Sequence, residues 1–143
     1  MADEFPPYFR RDQAVGVAAP DLLKDCTYAE HIVHARGKRT QLTSISLNPK
    51  RIRDFGPTLY RANCSKITDD KHTIVQHLEL LSLLRESAAS GIKEERIRAI
   101  QAQRYAKRRL EGLVKWNFST AGIERKDLIK WAFDSIQQYF TKA

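Results

Sequence analysis

The stretch Ile92–Trp116, IKEERIRAIQAQRYAKRRLEGLVKW, predicts the longest helix of the chain. Its apolar positions recur at helical spacing and are mostly alanines: Ala99, Ala102, Ala106, Leu110 and Leu113. Small side chains along one stripe let a second helix approach closely. The stretch therefore favours a fold in which helices pack against each other.

Two further helices are predicted after residue 68. One spans about Asp69–Ala89, and its apolar stripe consists of Ile74, Leu78, Leu81 and Leu84. The other spans about Ile123–Phe140, and its stripe contains Leu128, Ala132 and Ile136. Short connections imply antiparallel neighbours and hence a helical bundle. Additional leucines beside the first stripe indicate either a central helix or a surface for self-association, for which a homodimer is the default.

The region before residue 68 is less regular. A helix from about Pro20 to Ala35 is predicted by an apolar stripe and by Gly37 just after its end. A competing interpretation pairs Tyr28–His34 with Thr40–Leu47 as a hairpin. Thr40–Leu47 is rich in threonine and β-branched residues, which makes it the only good strand candidate.

Two segments flank these elements. Asn48 and Pro49 predict the start of a short helix that runs through Phe55. Residues 1–19 contain a Pro-Pro pair and lack an amphipathic pattern, so they predict a flexible N-terminal arm. The predicted fold is mainly α. It consists of an N-terminal arm (1–19) and one helical domain (20–143), a small bundle with at most one short strand or extended connector at about 40–47.

The charge of the 143-residue chain is unevenly distributed. The formal net charge is +8. Residues 1–34 carry three basic and six acidic side chains, giving −3, whereas residues 35–66 carry eight basic side chains and one acid, giving +7. A fold gains nothing from such a concentration of like charge, so an external anion is the economical explanation.

The basic segment, residues 36–66, is the predicted binding site. Arginine and lysine make charge-assisted contacts with phosphate, and polar or aromatic residues lie among them here. On the helix Ile92–Trp116, two further arginines lie opposite the alanine stripe. The predicted nucleic-acid-binding residues are Arg36, Lys38, Arg39, Lys50, Arg51, Arg53, Arg61, Lys66, Arg104 and Arg108.

Metal binding and catalysis are not predicted. Cys26, His31, His34 and Cys64 lack the ligand spacing of known zinc modules. No phosphate loop, nucleophile motif or paired-acid signature is present, so neither catalytic residues nor a cofactor are expected. The two cysteines are expected to be reduced, in an intracellular protein of the cytoplasm or nucleus without a transmembrane segment.

These features predict a non-enzymatic nucleic-acid-binding protein, with RNA or a single strand favoured, in a packaging or protective role. The alternative is an interaction or assembly protein that docks an acidic protein or a membrane surface. A homo-oligomer, by default a dimer, is expected in either case.

Overall fold

A computed structural model describes residues 5–34 and 39–143, with only the backbone of His34. The described residues form one six-stranded antiparallel sheet in the order β4-β5-β2-β1-β3-β6. The strands are β1 (Phe9–Asp12), β2 (Leu42–Ser46), β3 (Thr58–Ala62), β4 (Thr73–Val75), β5 (Glu111–Lys115) and β6 (Phe140–Lys142).

Helices lie between the strands. The α-helices are α1 (Tyr28–His34), α2 (Cys64–Asp69), α3 (His77–Ser87), α4 (Lys93–Arg109) and α5 (Leu128–Ile136). Three 3₁₀ segments span Pro49–Phe55, Arg125–Asp127 and Gln137–Tyr139.

Both faces of the sheet are covered. On one face, the strand residues Leu42 and Leu113 pack with residues of α1, α3 and α4. On the other face, Ile45 and Val114 pack with residues of α2 and α5. Each of these two central strands therefore contributes an apolar side chain to the core on either face of the sheet.

The predicted helical bundle is wrong, and the stretch Ile92–Trp116 shows why. Its helix α4 buries the predicted Ala99, Ala102 and Ala106, but the helix ends at Arg109 and Leu110 is left-handed (φ 50°). Residues 111–115 then form β5, which pairs with β2 and β4. The apolar run after the helix fits a doubly buried strand as well as it fits one more helical turn.

The helix predicted for Asp69–Ala89 is also wrong in its first half. α2 ends at Asp69, Lys71 has a left-handed backbone (φ 71°), and Thr73–Val75 form β4. Only His77–Ser87 are helical in α3. The shorter helix has a different buried face, on which Leu80 is fully buried while Leu78 is 77% exposed.

The last predicted helix is confirmed at its centre. α5 buries Leu128, Ala132 and Ile136 as the stripe predicted. The chain then passes through a 3₁₀ turn, and Phe140 begins β6 on the edge of the sheet.

The N-terminal segment is not a flexible arm where it is described. Phe9–Asp12 form β1, which lies between β2 and β3 inside the sheet. Tyr8 and Val17 are buried in the core. The four residues of β1 include two arginines and an aspartate, with Phe9 as the one apolar residue, so β1 lacks the apolar pattern that usually marks an inner strand.

The middle of the chain is partly as predicted. The strand predicted within 40–47 is confirmed as β2. It pairs with β1 and β5 of the same chain. The short helix starting at Pro49 is confirmed, and the Asn48 side chain accepts a hydrogen bond from the Lys50 amide. The predicted helix 20–35 exists only as Tyr28–His34, which excludes the alternative hairpin.

Across the described ranges, no helix has both the length and the apolar character that crossing a bilayer requires.

Candidate ligand pocket and basic surface

A split in the sheet creates a cavity between β1 and β2. The two strands are paired only at Phe9 and Ser46, whereas β1 has four residue pairs with β3. Beyond Phe9, the Arg10 side chain replaces the missing strand contact: its Nη1 donates to the Ser44 carbonyl (2.9 Å) and its Nε donates to Asp12 (3.0 Å). The cavity at this split has a volume of about 460 Å³.

The wall of this pocket is cationic and aromatic. Arg10, Arg11, Arg39 and Arg109 line it. The Arg109 guanidinium lies 5.0 Å from the ring centroids of both Phe55 and Tyr105, which also line the pocket. This stack places a positive charge between two rings at the pocket wall.

Arg11 contributes a further donor to the wall. Its Nη1 donates weakly to the Gly56 carbonyl (3.4 Å). Its Nε is buried and has no hydrogen-bond partner among the described residues. A buried donor without a partner is costly in a folded protein. Its position beside a cavity therefore favours a site where a bound group supplies the acceptor.

Glu111 supplies the acidic group of the pocket. Its side chain, at the start of β5, is almost fully buried, and Oε2 accepts a hydrogen bond from Ser44 Oγ (2.8 Å). Oε1 has no hydrogen-bond partner within the described part of the chain, and Arg109 Nη1 is 3.6 Å away. Burial raises the pKa of Glu111, while the Ser44 hydrogen bond and the charges of Arg109 and Arg10 oppose that rise.

His31 completes a chain of polar side chains. Its Nε2 lies 2.8 Å from Ser44 Oγ, and its Nδ1 lies 2.6 Å from Thr40 Oγ1. Burial, with the charges of Arg10 and Arg109, lowers the pKa of His31 to about 4. The imidazole is therefore neutral at physiological pH.

A basic surface borders this pocket. Arg51 Nη1 donates to the Arg108 carbonyl (3.1 Å), which joins the 3₁₀ helix Pro49–Phe55 to the end of α4. The Arg108 guanidinium also lies 5.5 Å from the ring of the pocket residue Tyr105. Five of the predicted binding residues are exposed on these two elements, and we call them the basic rim: Lys50, Arg51, Arg53, Arg104 and Arg108.

The other predicted residues lie outside these two elements. Arg39 is exposed and lines the pocket. Arg61 lies on β3, next to Phe9 of β1 and Thr141 of β6. Lys66 lies on α2, which packs on the opposite face of the sheet, with its ammonium 5.7 Å from the Tyr139 ring. Arg36 and Lys38 lie outside the described residues.

Most pocket residues were missed by sequence reasoning. Arg10 fell in the predicted arm, and Glu111 was assigned to the surface of a long helix. One signal was available for Glu111, because it interrupts the apolar run Leu110–Val114. An acid inside a run of buried residues needs a polar partner or a function.

The two cysteines do not lie together. Cys64 is buried in the core beneath α2 and α5, whereas Cys26 packs against the core on the other face. Within residues 5–34 and 39–143, no group of three or more His, Cys, Asp or Glu side chains is placed to hold a metal ion.

Comparison of the chain with protein-family models, with curated proteins and with solved structures finds no match.

Proposed function

We propose that the protein binds a phosphate-bearing nucleotide in the pocket between β1 and β2. The observation that carries this proposal is that Oε1 of buried Glu111 has no hydrogen-bond partner among the described residues, in a wall lined by arginines. A buried carboxylate oxygen needs a hydrogen-bond donor, and arginines favour an anion. A ligand that satisfies both needs carries hydroxyl groups and negative charge on one molecule.

A nucleotide combines these groups with a flat ring. Its phosphates match the guanidinium groups of Arg10 and Arg109, and a ribose hydroxyl matches Glu111 Oε1. Phe55 and Tyr105 offer aromatic faces for a base. The cavity volume of about 460 Å³ lies in the range of small-molecule sites.

Calorimetric titration with ADP, adenosine and pyrophosphate tests this proposal. ADP should bind more tightly than either fragment, because only ADP engages the arginines, the carboxylate and the rings together. Glu111→Gln should weaken ADP binding by about 10- to 100-fold, since it replaces an anionic acceptor with an amide.

Glu124→Gln is the matched control for that variant. Glu124 is exposed and pairs only with Lys126 at 3.4 Å, so its loss should leave ADP affinity unchanged. Equal affinity of wild type and Glu111→Gln for ADP, or no binding of any of the three probes, would refute the proposal.

A second candidate function is the nucleic-acid binding predicted from sequence, with RNA or a single strand favoured. The contact between Arg51 and the Arg108 carbonyl supports it, because it joins the two elements that carry the residues of the basic rim. Tyr105 and Phe55 beside these cations offer stacking surfaces for unpaired bases. In this proposal the protein packages or protects the strand and catalyses no reaction.

A salt titration with single-stranded RNA tests the second candidate. The combined variant Lys50→Ala, Arg51→Ala and Arg53→Ala should weaken binding and make the slope of log affinity against log salt less negative. Each lost phosphate contact should change that slope by about 0.7.

The matched control replaces Arg125, Lys126 and Lys130 by alanine, which removes the same charge from exposed positions near α5. If both triple variants bind RNA equally well, the basic rim is not the site. Binding to acidic protein or anionic vesicles but not to RNA would favour the docking alternative. Dimer formation and an intracellular location stay predictions.

A further inference from the structure

The polar chain behind Glu111 has a defined direction. A hydroxyl group has one proton, and Ser44 Oγ donates it to Glu111 Oε2 at 2.8 Å. Ser44 Oγ can therefore only accept from His31 Nε2, which lies 2.8 Å away. With its single proton on Nε2, neutral His31 must accept at Nδ1. The Thr40 hydroxyl at 2.6 Å is the donor, because this contact is much shorter than its 3.5 Å contact with the Leu42 carbonyl.

Thr40, His31 and Ser44 thus each donate toward Glu111, which only accepts when its carboxyl is ionised. If that carboxyl took up a proton, it would donate to Ser44, and every bond in the chain would reverse. His31 would then carry its proton on Nδ1. The imidazole tautomer and the charge of Glu111 are linked through one serine hydroxyl.

We propose that His31 is a positioning residue, which orients the Ser44 hydroxyl toward Glu111 Oε2 and so leaves Oε1 of the carboxylate as the acceptor for the ligand. This inference rests on the proposed nucleotide pocket, because the orientation of Ser44 matters only if a ligand binds Glu111. The hydrogen bonds from Thr40 to Glu111 themselves do not require a ligand. His31 itself acts only through Ser44, with which it forms a buried contact.

Other charged and titratable groups surround this chain. Arg10 from β1 and Arg109 from the end of α4 act on both Glu111 and His31. From α3, His77 Nδ1 contacts the backbone carbonyl of Glu111 at 2.9 Å. Burial raises the pKa of Glu111 and favours the protonated carboxyl, whereas the two arginines oppose that rise and favour the ionised form on which this direction of the chain depends.

Nuclear magnetic resonance tests the proposal without a ligand. In the wild-type protein, imidazole nitrogen shifts at neutral pH should identify the Nε2–H tautomer of His31. Carboxyl carbon shifts of Glu111, assigned with Glu111→Gln, should give its titration in each variant.

The variants separate positioning from simple packing. Ser44→Ala and His31→Leu should each raise the proton affinity of the Glu111 carboxyl by about tenfold, because both remove the oriented hydroxyl bond. His31→Gln places an amide donor near the position of Nε2, so it should restore the wild-type titration to within about threefold. A packing role alone would lower the unfolding temperature of His31→Leu and leave the Glu111 titration unchanged.

Two results would overturn the proposal: an Nδ1–H tautomer in the wild type, or an unchanged Glu111 titration in His31→Leu. If His31→Leu does not fold, the proposal is still tested by the tautomer of His31 in the wild type and by the Glu111 titration in His31→Gln. ADP should bind His31→Leu about tenfold more weakly than wild type, and His31→Gln normally. If Glu111 titrates as expected in every variant but no variant binds ADP, the role of His31 is supported and the nucleotide pocket is refuted.

Discussion

Gly56 follows the 3₁₀ helix Pro49–Phe55 and lies directly against the backbone of β1. Its φ is 156°, and a Cβ there would lie 2.8 Å from the N and Cα atoms of Asp12. Gly56→Ala should lower the free energy of unfolding by about 2 to 4 kcal/mol, because neither backbone can move without disturbing the sheet. Urea denaturation of both proteins measures this difference.

Gly91 is the control for this substitution. A Cβ added at Gly91 meets no atom within 4 Å. Gly91→Ala should therefore change the free energy of unfolding by less than about 1 kcal/mol. Equal losses at the two glycines would contradict the close approach of Gly56 to β1.

Acid should destabilise the protein through His31. Its pKa is about 4 in the folded protein and about 6.5 in the unfolded chain. As the pH falls from about 6.5 to about 4, the unfolded chain takes up a proton that the folded chain does not. The contribution to stability is therefore present above the unfolded pKa, and on the order of 3 kcal/mol is lost on acidification.

Urea unfolding at a series of pH values measures this loss. His31→Gln cannot titrate, so its stability should fall less steeply between pH 6.5 and pH 4 than that of the wild type. Glu111 acts in the opposite direction, because burial raises the pKa of its carboxyl in the folded protein. Parallel curves for wild type and His31→Gln would show that His31 is not held neutral.

At the scale of residues, the sequence could predict where basic side chains are concentrated. It could not predict which distant side chains meet in the folded protein. Arg39, Lys50, Arg51 and Arg53 were predicted as binding residues because the basic segment contains eight basic side chains and only one acid, Asp54. Glu111 and its partner Ser44 lie far apart in the chain, and only strand pairing between β2 and β5 brings them together. No local spacing contains that information.

At the scale of elements, α3 allows a matched comparison of two leucines. Leu80 is fully buried, whereas Leu78 is 77% exposed on the same helix. Leu80→Ala should lower the free energy of unfolding by about 2 to 5 kcal/mol, because it leaves a cavity in the core. Leu78→Ala should change it by less than about 0.5 kcal/mol.

Thermal or urea unfolding distinguishes these two variants. Similar losses for Leu78→Ala and Leu80→Ala would mean that α3 is rotated or extended toward the helix that the sequence predicted. That helix began at Asp69 and buried Leu78.

Long amphipathic stripes were predictable, but short strands beside them were not. The stripes of α4 and α5 are correct because each is repeated over several turns. β4, β5 and β6 contain only three to five residues. In so few residues an apolar pair has no measurable period, so the flanking helical pattern extends over it.

At the scale of the whole molecule, the position of β1 predicts the effect of truncation. β1 separates β2 from β3, and Tyr8 and Val17 are buried in the core beside it. Removal of residues 1–13 should therefore unfold the protein, since it divides the sheet and opens the core. Loss of amide dispersion in the NMR spectrum and of the cooperative thermal transition would show this.

A truncated protein that kept its dispersed spectrum and its unfolding temperature would restore the idea of an independent arm. Tyr8→Phe is a milder control, which removes only the hydroxyl group that accepts from the His77 amide at 2.9 Å. It should stay folded, with a loss of about 1 to 3 kcal/mol.

The strand order has a kinetic consequence. No two paired strands are joined by a hairpin within the described residues, and the nearest residues in sequence that pair between strands are Phe9 and Ser46. The antiparallel bridge between Gln13 and Gly16 lies outside these strands. Chains dominated by such distant contacts fold slowly, because loop closure must precede every stabilising pairing. During synthesis, β2 leaves the ribosome long before β5 exists to cover its edge. Exposed strand edges are prone to association, so the growing chain is a natural client for chaperones.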